Sequence, residues 1–368
     1  MVEFGGNWVS TLKHTYQTLD AMRGIAAIAV VLYHFGPLLQ PFQLAPRGYL
    51  AVDFFFVLSG FIVAHAYEAR LERGLPLIDF FLIRLIRFYP LYIVGLLLAI
   101  VKALAQISIG DAQAMDVGRL CATVLLALSF MPSPLGRLGE LFPLNVAAWS
   151  LFLELAANAA YAVARPWLST ICISAILIVS GSMLAWEALH STAIVGGAFW
   201  SDLWVGVFRV SFSFFAGLLL YRKRILTLSL LPNVNSWLLL LFLFALLVAH
   251  IPDTLSPWYD LIFIFALSPM LVMLGAKAEN HNSVFSYLGI ISYPIYVMHQ
   301  PIATASRQAS EMSGIPPVVV AIVVVLSLAC AAPILVYFFD IPARRWLTAN
   351  LIDRRSFRFP AQSSEGIQ

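Results

Sequence analysis

Arg23 and His34 lie eleven residues apart in one apolar segment, which makes them the first candidates for chemistry in this chain. Eleven residues at about 100° each return to within roughly 20° of the starting direction, so both side chains share one helix face. A cation and a titratable ring inside an apolar segment are costly, and such groups by default mark function. We therefore predict that this helix forms one wall of an active site.

An acidic residue stands beside three phenylalanines in the second apolar segment. Asp53 precedes residues 54–56, and the small pair Ser59-Gly60 follows. A carboxyl group in such surroundings must pair with a cation or lie protonated, and we expect Arg23 or an arginine of the third segment as its partner. A structural ion pair and a catalytic role both stay open. The small pair lets helix backbones approach closely.

Two arginines stand three residues apart in the third apolar segment. Arg84 and Arg87 therefore project from one helix face. Two guanidinium groups at such a position suit bidentate binding of phosphate or pyrophosphate. The alternative is contact with lipid headgroups, because arginines gather at the cytoplasmic ends of membrane helices.

A helix in the middle of the chain carries a stripe of polar residues. Ser150, Glu154, Asn158 and Tyr161 follow one another at helical spacing. Such a stripe either lines a polar cavity or packs on another polar helix through hydrogen bonds.

A second polar stripe lies near the C-terminus. Ser292, Tyr296 and His299 occupy positions i, i+4 and i+7. Pro294 and Pro301 are expected to bend or break this helix, which frees backbone carbonyl groups that a cavity or a partner must satisfy. Together with the earlier groups, this stripe predicts a buried aqueous pocket with proton chemistry and an anion site open to the cytoplasm.

The elements that position these residues are membrane helices. The chain is 61 % hydrophobic and 11 % charged, whereas soluble domains have roughly 45–50 % apolar and about 25 % charged residues. We predict an all-α polytopic transmembrane bundle, and a short apolar segment at 120–131 that is re-entrant or tilted. The ten predicted spans are 21–39, 49–67, 79–101, 145–163, 170–190, 203–221, 236–250, 258–275, 287–305 and 317–340.

Basic residues cluster at one set of helix ends, which predicts both termini in the cytoplasm. We predict one transmembrane domain at 1–347 and a short cytoplasmic tail at 348–368. The net charge of +3 gives no indication of a nucleic-acid partner, and we expect neither nucleic acid nor a metal ion. The expected environment is membrane lipid, and the oligomeric state stays open.

The motifs together resemble those of the acyltransferase-3 family of membrane-bound acyltransferases, many of which O-acetylate cell-surface polysaccharides. The resemblance covers about residues 19–347. One departure is Asp340 before Pro342, where the family commonly has glutamate; the shorter acid keeps the charge. The matching motifs are Arg23 with His34, the aromatic run ending in Ser59-Gly60-Phe61, Arg84 with Arg87 before Tyr89-Pro90, Trp149 to Glu154, and Ser292 to His299.

The resemblance implies acetyl-CoA or another acyl-CoA as the donor, and a hydroxyl group as the acceptor. Arg84 and Arg87 would then bind the CoA phosphates, while Arg23 would hold the pyrophosphate or pair with Asp53. His34 is the expected general base, since neutral imidazole takes a proton near physiological pH. A covalent acyl-histidine intermediate is a second route.

The remaining motif residues complete the expected site. Glu154 would orient or charge-balance His34, or bind a sugar hydroxyl, and Tyr296 would line the acceptor path or donate to the developing oxyanion. The predicted catalytic residues are His34, Glu154, Arg23 and Asp53. The predicted substrate-binding residues are Trp149, Ser150, Ser292, Tyr296 and His299.

We interpret the chain as an O-acyltransferase of the bacterial inner membrane that acts on a saccharide or lipid-linked glycan. One alternative is a proton-coupled secondary transporter, although we find no internal repeat of the kind that transporters usually show. A second is transfer to a small hydrophobic acceptor, and a third is an inactive partner subunit.

Overall fold

The computed structural model describes residues 16–40, 42–111, 114–278 and 280–353. Over these residues the chain forms α-helices and no β-strand, so the predicted all-α membrane bundle is confirmed. Residues 354–368, most of the predicted tail, lie outside the described residues. The helices are α1 (Gln17–His34), α2 (Ala51–Glu72), α3 (Leu77–Ser108), α4 (Val117–Leu128), α5 (Ala148–Ala164), α6 (Thr170–His190), α7 (Leu203–Leu230), α8 (Ser236–Val248), α9 (Ser256–Ile262), α10 (Ser268–Lys277), α11 (Ser283–Ser313), α12 (Pro317–Leu335) and α13 (Ile341–Thr348).

Six helical segments of the described chain are long and apolar enough to cross a membrane. Helices α1 and α11 are also long, but they are less apolar because they carry the polar motifs. The six segments are Gly48–Glu72, Leu77–Ser108, Thr170–His190, Leu203–Leu230, Ser256–Lys277 and Pro317–Ile352.

Ion pairs between helix ends show which ends lie together. Arg165, directly after α5, pairs with Glu72 at the end of α2. Arg222 of α7 pairs with Glu68 of α2, with 2.7 Å between NH2 and Oε1. Helices α2, α5 and α7 therefore end on one side of the bundle, which we call the basic end.

The basic end also holds the start of α1 and the end of α10. The Thr18 hydroxyl donates to the carbonyl of Ala278 at 2.5 Å, and the Lys277 amine donates to the carbonyl of Leu228 at 3.1 Å. Helix α1 therefore runs away from this end, and α2 returns to it.

Helix α4 is the short apolar segment that we predicted not to cross the membrane. Its 12 residues extend about 18 Å, against about 30 Å of hydrocarbon. Helix α8 has 13 residues and is also shorter than the predicted span at 236–250. The count of ten spans therefore stays a prediction.

Two helix boundaries differ from the predicted spans. Helix α1 ends at His34 instead of residue 39, because Pro37 lies in a separate 3-10 turn, Gly36–Leu38, that ends the regular helix. Helix α11 runs unbroken over 31 residues although it contains Pro294 and Pro301. Of the two expectations, a bend or a break, the break is therefore wrong, and the bend stays a prediction.

The carbonyl groups freed by two prolines have side-chain partners. Pro301 removes the usual donor to the carbonyl of Val297, and the Asn145 amide donates to that carbonyl at 2.9 Å. Pro333 likewise frees the carbonyl of Ala329, which accepts the Tyr287 hydroxyl at 3.0 Å. The expectation that partners satisfy the freed carbonyls is therefore confirmed at Pro301.

Helices α2 and α7 pack with their backbones in direct contact. A Cβ atom on Gly60 would lie 1.9 Å from the carbonyl oxygen of Phe214, and one on Gly217 would lie 2.0 Å from that of Val57. Any side chain at either position would push the helices apart. The close approach expected at Ser59-Gly60 is therefore confirmed.

We predict that Gly60→Ala and Gly217→Ala each destabilise the protein, because overpacking a closed contact costs about 1–3 kcal/mol or more. The measurement is the thermal unfolding midpoint of the protein in detergent. Gly36→Ala is the control, since no atom lies within 4 Å of a Cβ atom built there. Equal midpoints for all three variants would contradict the close contact.

Candidate active site

Side chains from six helices line one cavity between the helices. The cavity contains about 820 Å³ of space that no protein atom occupies, with its open mouth included. Helices α1, α2, α3, α5, α11 and α13 contribute to its wall. Its polar side chains include Arg23, Arg84, Arg87, Glu154, Tyr296 and Arg344.

Arg23 connects α1 to α11 at the cavity wall. Its Nε donates to the Ser292 hydroxyl at 2.8 Å, and its NH2 donates to the carbonyl of Gly289 at 3.1 Å. Its NH1 lies 3.0 Å from Oδ1 of Asp20, one turn back on α1. The structure thus brings together Arg23 and Ser292, which we had placed in different parts of the site.

Arg84 and Glu154 form an ion pair between α3 and α5. The NH2 of Arg84 lies 3.3 Å from Oε1 of Glu154, and the Ser59 hydroxyl donates to the same oxygen at 2.6 Å. The second oxygen, Oε2, has no hydrogen-bond partner among the described residues, and Glu154 lines the cavity. Arg84 and Ser59 therefore orient Glu154, and its expected roles toward His34 or a sugar hydroxyl stay predictions.

Arg87 differs from Arg84 although both line the cavity. Arg84 is buried, with its guanidinium 5.4 Å from the centroid of the Phe88 ring, whereas Arg87 is exposed. Arg87 makes no ion pair or hydrogen bond with the residues that the structure describes. Its charge is therefore free to meet an anion.

A fourth arginine enters the cavity from the C-terminal helix. The Nε of Arg344 donates to Oδ1 of Asp340 at 2.9 Å, and its NH2 contacts Oδ2. Arg344 was not among the site residues predicted from the sequence. The spacing of Asp340 and Arg344, four residues apart on one helix, was the available signal.

Tyr296 and Ser150 close the inner end of the cavity. The two hydroxyl groups lie 2.5 Å apart. The Tyr296 ring packs edge-on against Phe55, with centroids 5.4 Å apart. These contacts place α2, α5 and α11 against one another at this point. The two polar stripes predicted from the sequence therefore meet here.

His34 and His299 lie beyond Tyr296. Their ring centroids are 4.8 Å apart, and the His299 ring is 5.6 Å from that of Tyr296. The Nδ1 of His299 lies 2.5 Å from the carbonyl oxygen of Tyr296, whereas its Nε2 is buried without a partner among the described residues. His34 does not line the cavity; it is half-buried, and its ring nitrogens make no hydrogen bond with the described residues.

Asp53 pairs with Arg209 of α7, so both partners expected for it are wrong. The Nε and NH2 of Arg209 lie 3.1 and 2.6 Å from the two carboxylate oxygens. Its remaining donors bind the carbonyl groups of Tyr49, Val195 and Gly196 at 3.0–3.1 Å. All five donors of this buried guanidinium are used.

Trp149 packs against this ion pair. The Arg209 guanidinium stacks 5.6 Å from the centroid of the Trp149 ring, and Gly197 packs against the ring's other atoms. Trp149 is buried and does not line the cavity, although its neighbour Ser150 does. The Asp53–Arg209 pair therefore supports the helix start that carries Ser150.

Sequence reasoning missed Arg209, because α7 carries no other motif and one arginine in a long apolar run has no visible partner. An arginine inside the predicted span at 203–221 was a signal for a buried pair, yet the sequence could not name Asp53 as its partner.

The chain belongs to the acyltransferase-3 family, whose model, described as an acyltransferase domain, matches residues 16–336. The resemblance based on the five motifs is thereby confirmed. The chain is an integral membrane protein of the acyltransferase class.

Two curated proteins are similar to parts of the chain. "Protein 2 in picA locus" of Rhizobium radiobacter is 40 % identical over 155 residues, which are 39 % of this chain and 79 % of that protein. Peptidoglycan O-acetyltransferase OatA of Listeria monocytogenes is 31 % identical over 86 residues, which are 23 % of this chain and 13 % of that protein. No solved structure matches the chain.

We predict that Asp53→Asn destabilises the protein by about 3–5 kcal/mol, because it leaves the buried Arg209 charge without its counter-ion. The measurement is thermal unfolding of the purified protein in detergent. The control is Glu311→Gln, which removes the acid of an exposed pair on α11.

The double variant Asp53→Leu/Arg209→Met should recover part of the loss, because it removes both charges. An unchanged unfolding midpoint for Asp53→Asn would contradict a structural role for the pair.

Proposed function

We propose that the protein is an O-acyltransferase that moves an acyl group from acyl-CoA to a hydroxyl group of a saccharide or lipid-linked glycan. The acyl group that we propose is acetyl. The observation that carries the proposal is a cavity lined by four arginines whose inner end adjoins two histidines. Membership of the acyltransferase-3 family supports the reaction class, and the partial similarity to a peptidoglycan O-acetyltransferase supports acetyl transfer.

The cavity suits a long donor with phosphates at one end and a thioester at the other. Arg87 is free to bind phosphate, and Arg84 and Arg23 add positive charge to the wall. The inner end at Tyr296 is less polar, since Phe55 and Phe56 line it. A CoA thioester is therefore oriented with its phosphates at the arginines and its acyl group toward Tyr296.

The histidines suit the proton transfer. His34 takes the proton of the acceptor hydroxyl while the hydroxyl oxygen attacks the thioester carbonyl carbon. The carbon–sulfur bond breaks, CoA leaves as the thiolate, and the imidazolium of His34 returns the proton to sulfur. The Tyr296 hydroxyl donates to the oxyanion of the tetrahedral intermediate.

The basic end of the bundle suits the acyl donor, and the opposite side suits the acceptor. Arg70, Arg73, Arg222 and Arg224 lie on helices at the basic end, which we assign to the cytoplasm of a bacterial inner membrane with both termini inside. The acyl group then reaches the inner end of the cavity at Tyr296, and His34 and His299 lie directly beyond it. His34 ends α1 on the opposite side, where an extracytoplasmic hydroxyl has access.

The first experiment measures transfer of radiolabelled acetyl-CoA by the purified protein in nanodiscs, with a glycan extract as acceptor. Label that moves to glycan supports the proposal. Label that moves only to a small lipophilic acceptor would favour the alternative substrate class. If the protein neither binds CoA nor turns over acetyl-CoA, the proposal is overturned. That result would favour a transporter or a partner subunit.

We predict that His34→Ala lowers the rate of acetyl transfer by roughly 10²- to 10⁴-fold, the usual contribution of a general base. Binding of acetyl-CoA should change little, because His34 lies outside the cavity. His190→Ala, an exposed histidine at the end of α6, is the matched control. Full transfer activity in His34→Ala would show that another group takes the proton.

We predict that Arg87→Ala raises the apparent KM for acetyl-CoA by roughly tenfold or more, the value of a hydrogen bond to a charged group. The measurement is the initial rate against acetyl-CoA concentration. Arg73→Ala, an exposed arginine at the end of α2, is the control. A change in kcat alone would contradict phosphate binding at Arg87.

A further inference from the structure

The four arginines of the cavity differ in how their charges are balanced. Three have an acidic partner within hydrogen-bond distance, as described above, whereas Arg87 has none among the described residues. Four guanidinium groups and three carboxylates leave one uncompensated positive charge, at Arg87. An anion is therefore attracted first to the part of the wall around Arg87.

Arg344 is a neighbour of Arg87 that has donors to spare, and unlike Arg84 it is not fully buried. Arg87 and Arg344 line the same cavity, Arg87 from α3 and Arg344 from α13. Asp340 occupies the Nε and NH2 groups of Arg344, and its NH1 group has no partner among the described residues. Two like charges on the wall of one cavity are stabilised by an anion that binds between them.

The end of α12 explains how Arg344 reaches the cavity. A π-helical turn, Val336–Asp340, joins α12 to α13, and such turns are frequent at functional sites. Phe338 in this turn is 82 % exposed, whereas Asp340 is 2 % exposed. The turn therefore directs its aromatic side outward and its acid inward. Arg344 follows one helical turn later, on the side of Asp340.

We propose that Arg87 and Arg344 form a two-guanidinium subsite for a phosphate group at the nucleotide end of the acyl donor. Asp340 is a positioning residue that holds the Arg344 fork toward this subsite. The inference rests on the proposed function, and it adds α13, the last described helix, to the donor site. A planar guanidinium suits a phosphate better than an ammonium group does.

The next residue of α13 provides a matched control. Arg345 is exposed and does not line the cavity, whereas Arg344 does. Both residues carry the same charge on the same helix. A variant of Arg345 therefore measures the general effect of removing one positive charge from this end of the protein.

The experiment compares initial rates with acetyl-CoA and with acetyl-dephospho-CoA, which lacks the 3′-phosphate. Arg344→Ala should raise the KM for acetyl-CoA by roughly 10- to 100-fold, with kcat nearly unchanged, and Arg345→Ala should not. Arg344→Lys should give an intermediate KM. Because Arg344→Ala leaves Asp340 buried and unpaired, Asp340→Asn/Arg344→Gln is measured as a second variant in case the first fails to fold.

The two donors identify which phosphate is bound. If Arg344→Ala raises the KM for acetyl-CoA but not that for acetyl-dephospho-CoA, the subsite holds the 3′-phosphate. If both KM values rise equally, it holds the diphosphate. Equal KM values in the Arg344 and Arg345 variants would overturn the subsite.

A binding measurement separates this inference from the proposed function. Calorimetry with adenosine 3′,5′-bisphosphate should show binding to the wild type that weakens in Arg344→Ala and Arg87→Ala, but not in Arg345→Ala. Equal binding by all four proteins would overturn the subsite even where the wild type transfers acetyl groups. A wild type that neither binds this probe nor turns over acetyl-CoA would overturn the proposed function itself.

Discussion

A charged side chain inside an apolar bundle is stable only where other polar groups replace the water that it has lost. Arg209 meets this condition completely, since each of its donors has a protein acceptor and Asp53 balances its charge. Arg84 meets it in part, because Glu154 balances its charge while its Nε is buried without a partner among the described residues. The positions of these pairs determine which helices must touch, and therefore where a cavity can remain open.

The pairs divide the interior into a closed part and an open part. Every donor of Arg209 is used, and the carbonyl groups that it binds belong to segments on the side opposite the basic end. This region is therefore rigid and supports the start of α5. Around Arg87 the charge is uncompensated and the side chain is exposed. The closed network thus holds Trp149 and Ser150 in place, while the open one leaves room for an anion to bind.

The sequence predicts the membrane class and most of the cavity wall, because the informative side chains lie on helices whose polar stripes stand out from apolar surroundings. Spacing alone places Ser150 with Glu154, and Ser292 with Tyr296, on shared faces. Spacing cannot show which helices are neighbours.

For that reason the partner of Asp53 was predicted wrongly. The choice among Arg23, Arg84 and Arg209 depends on how helices pack, and the contact between α2 and α7 is made by Gly60 and Gly217, which carry no charge. The site role of Arg344 was missed for a similar reason: it depends on the packing of α13 against α3, which spacing along the chain does not show.

The position of α13 at the end of the described chain determines when the cavity is completed during synthesis. Arg23 is near the start of the chain and Arg344 near its end, and the cavity lies between them. A ribosome finishes the helices in sequence, so α1 is in the membrane long before α11 can supply Ser292 as a partner for Arg23. Until then Arg23 depends on Asp20 within its own helix. A nascent chain therefore holds no finished cavity before α13 has been synthesised.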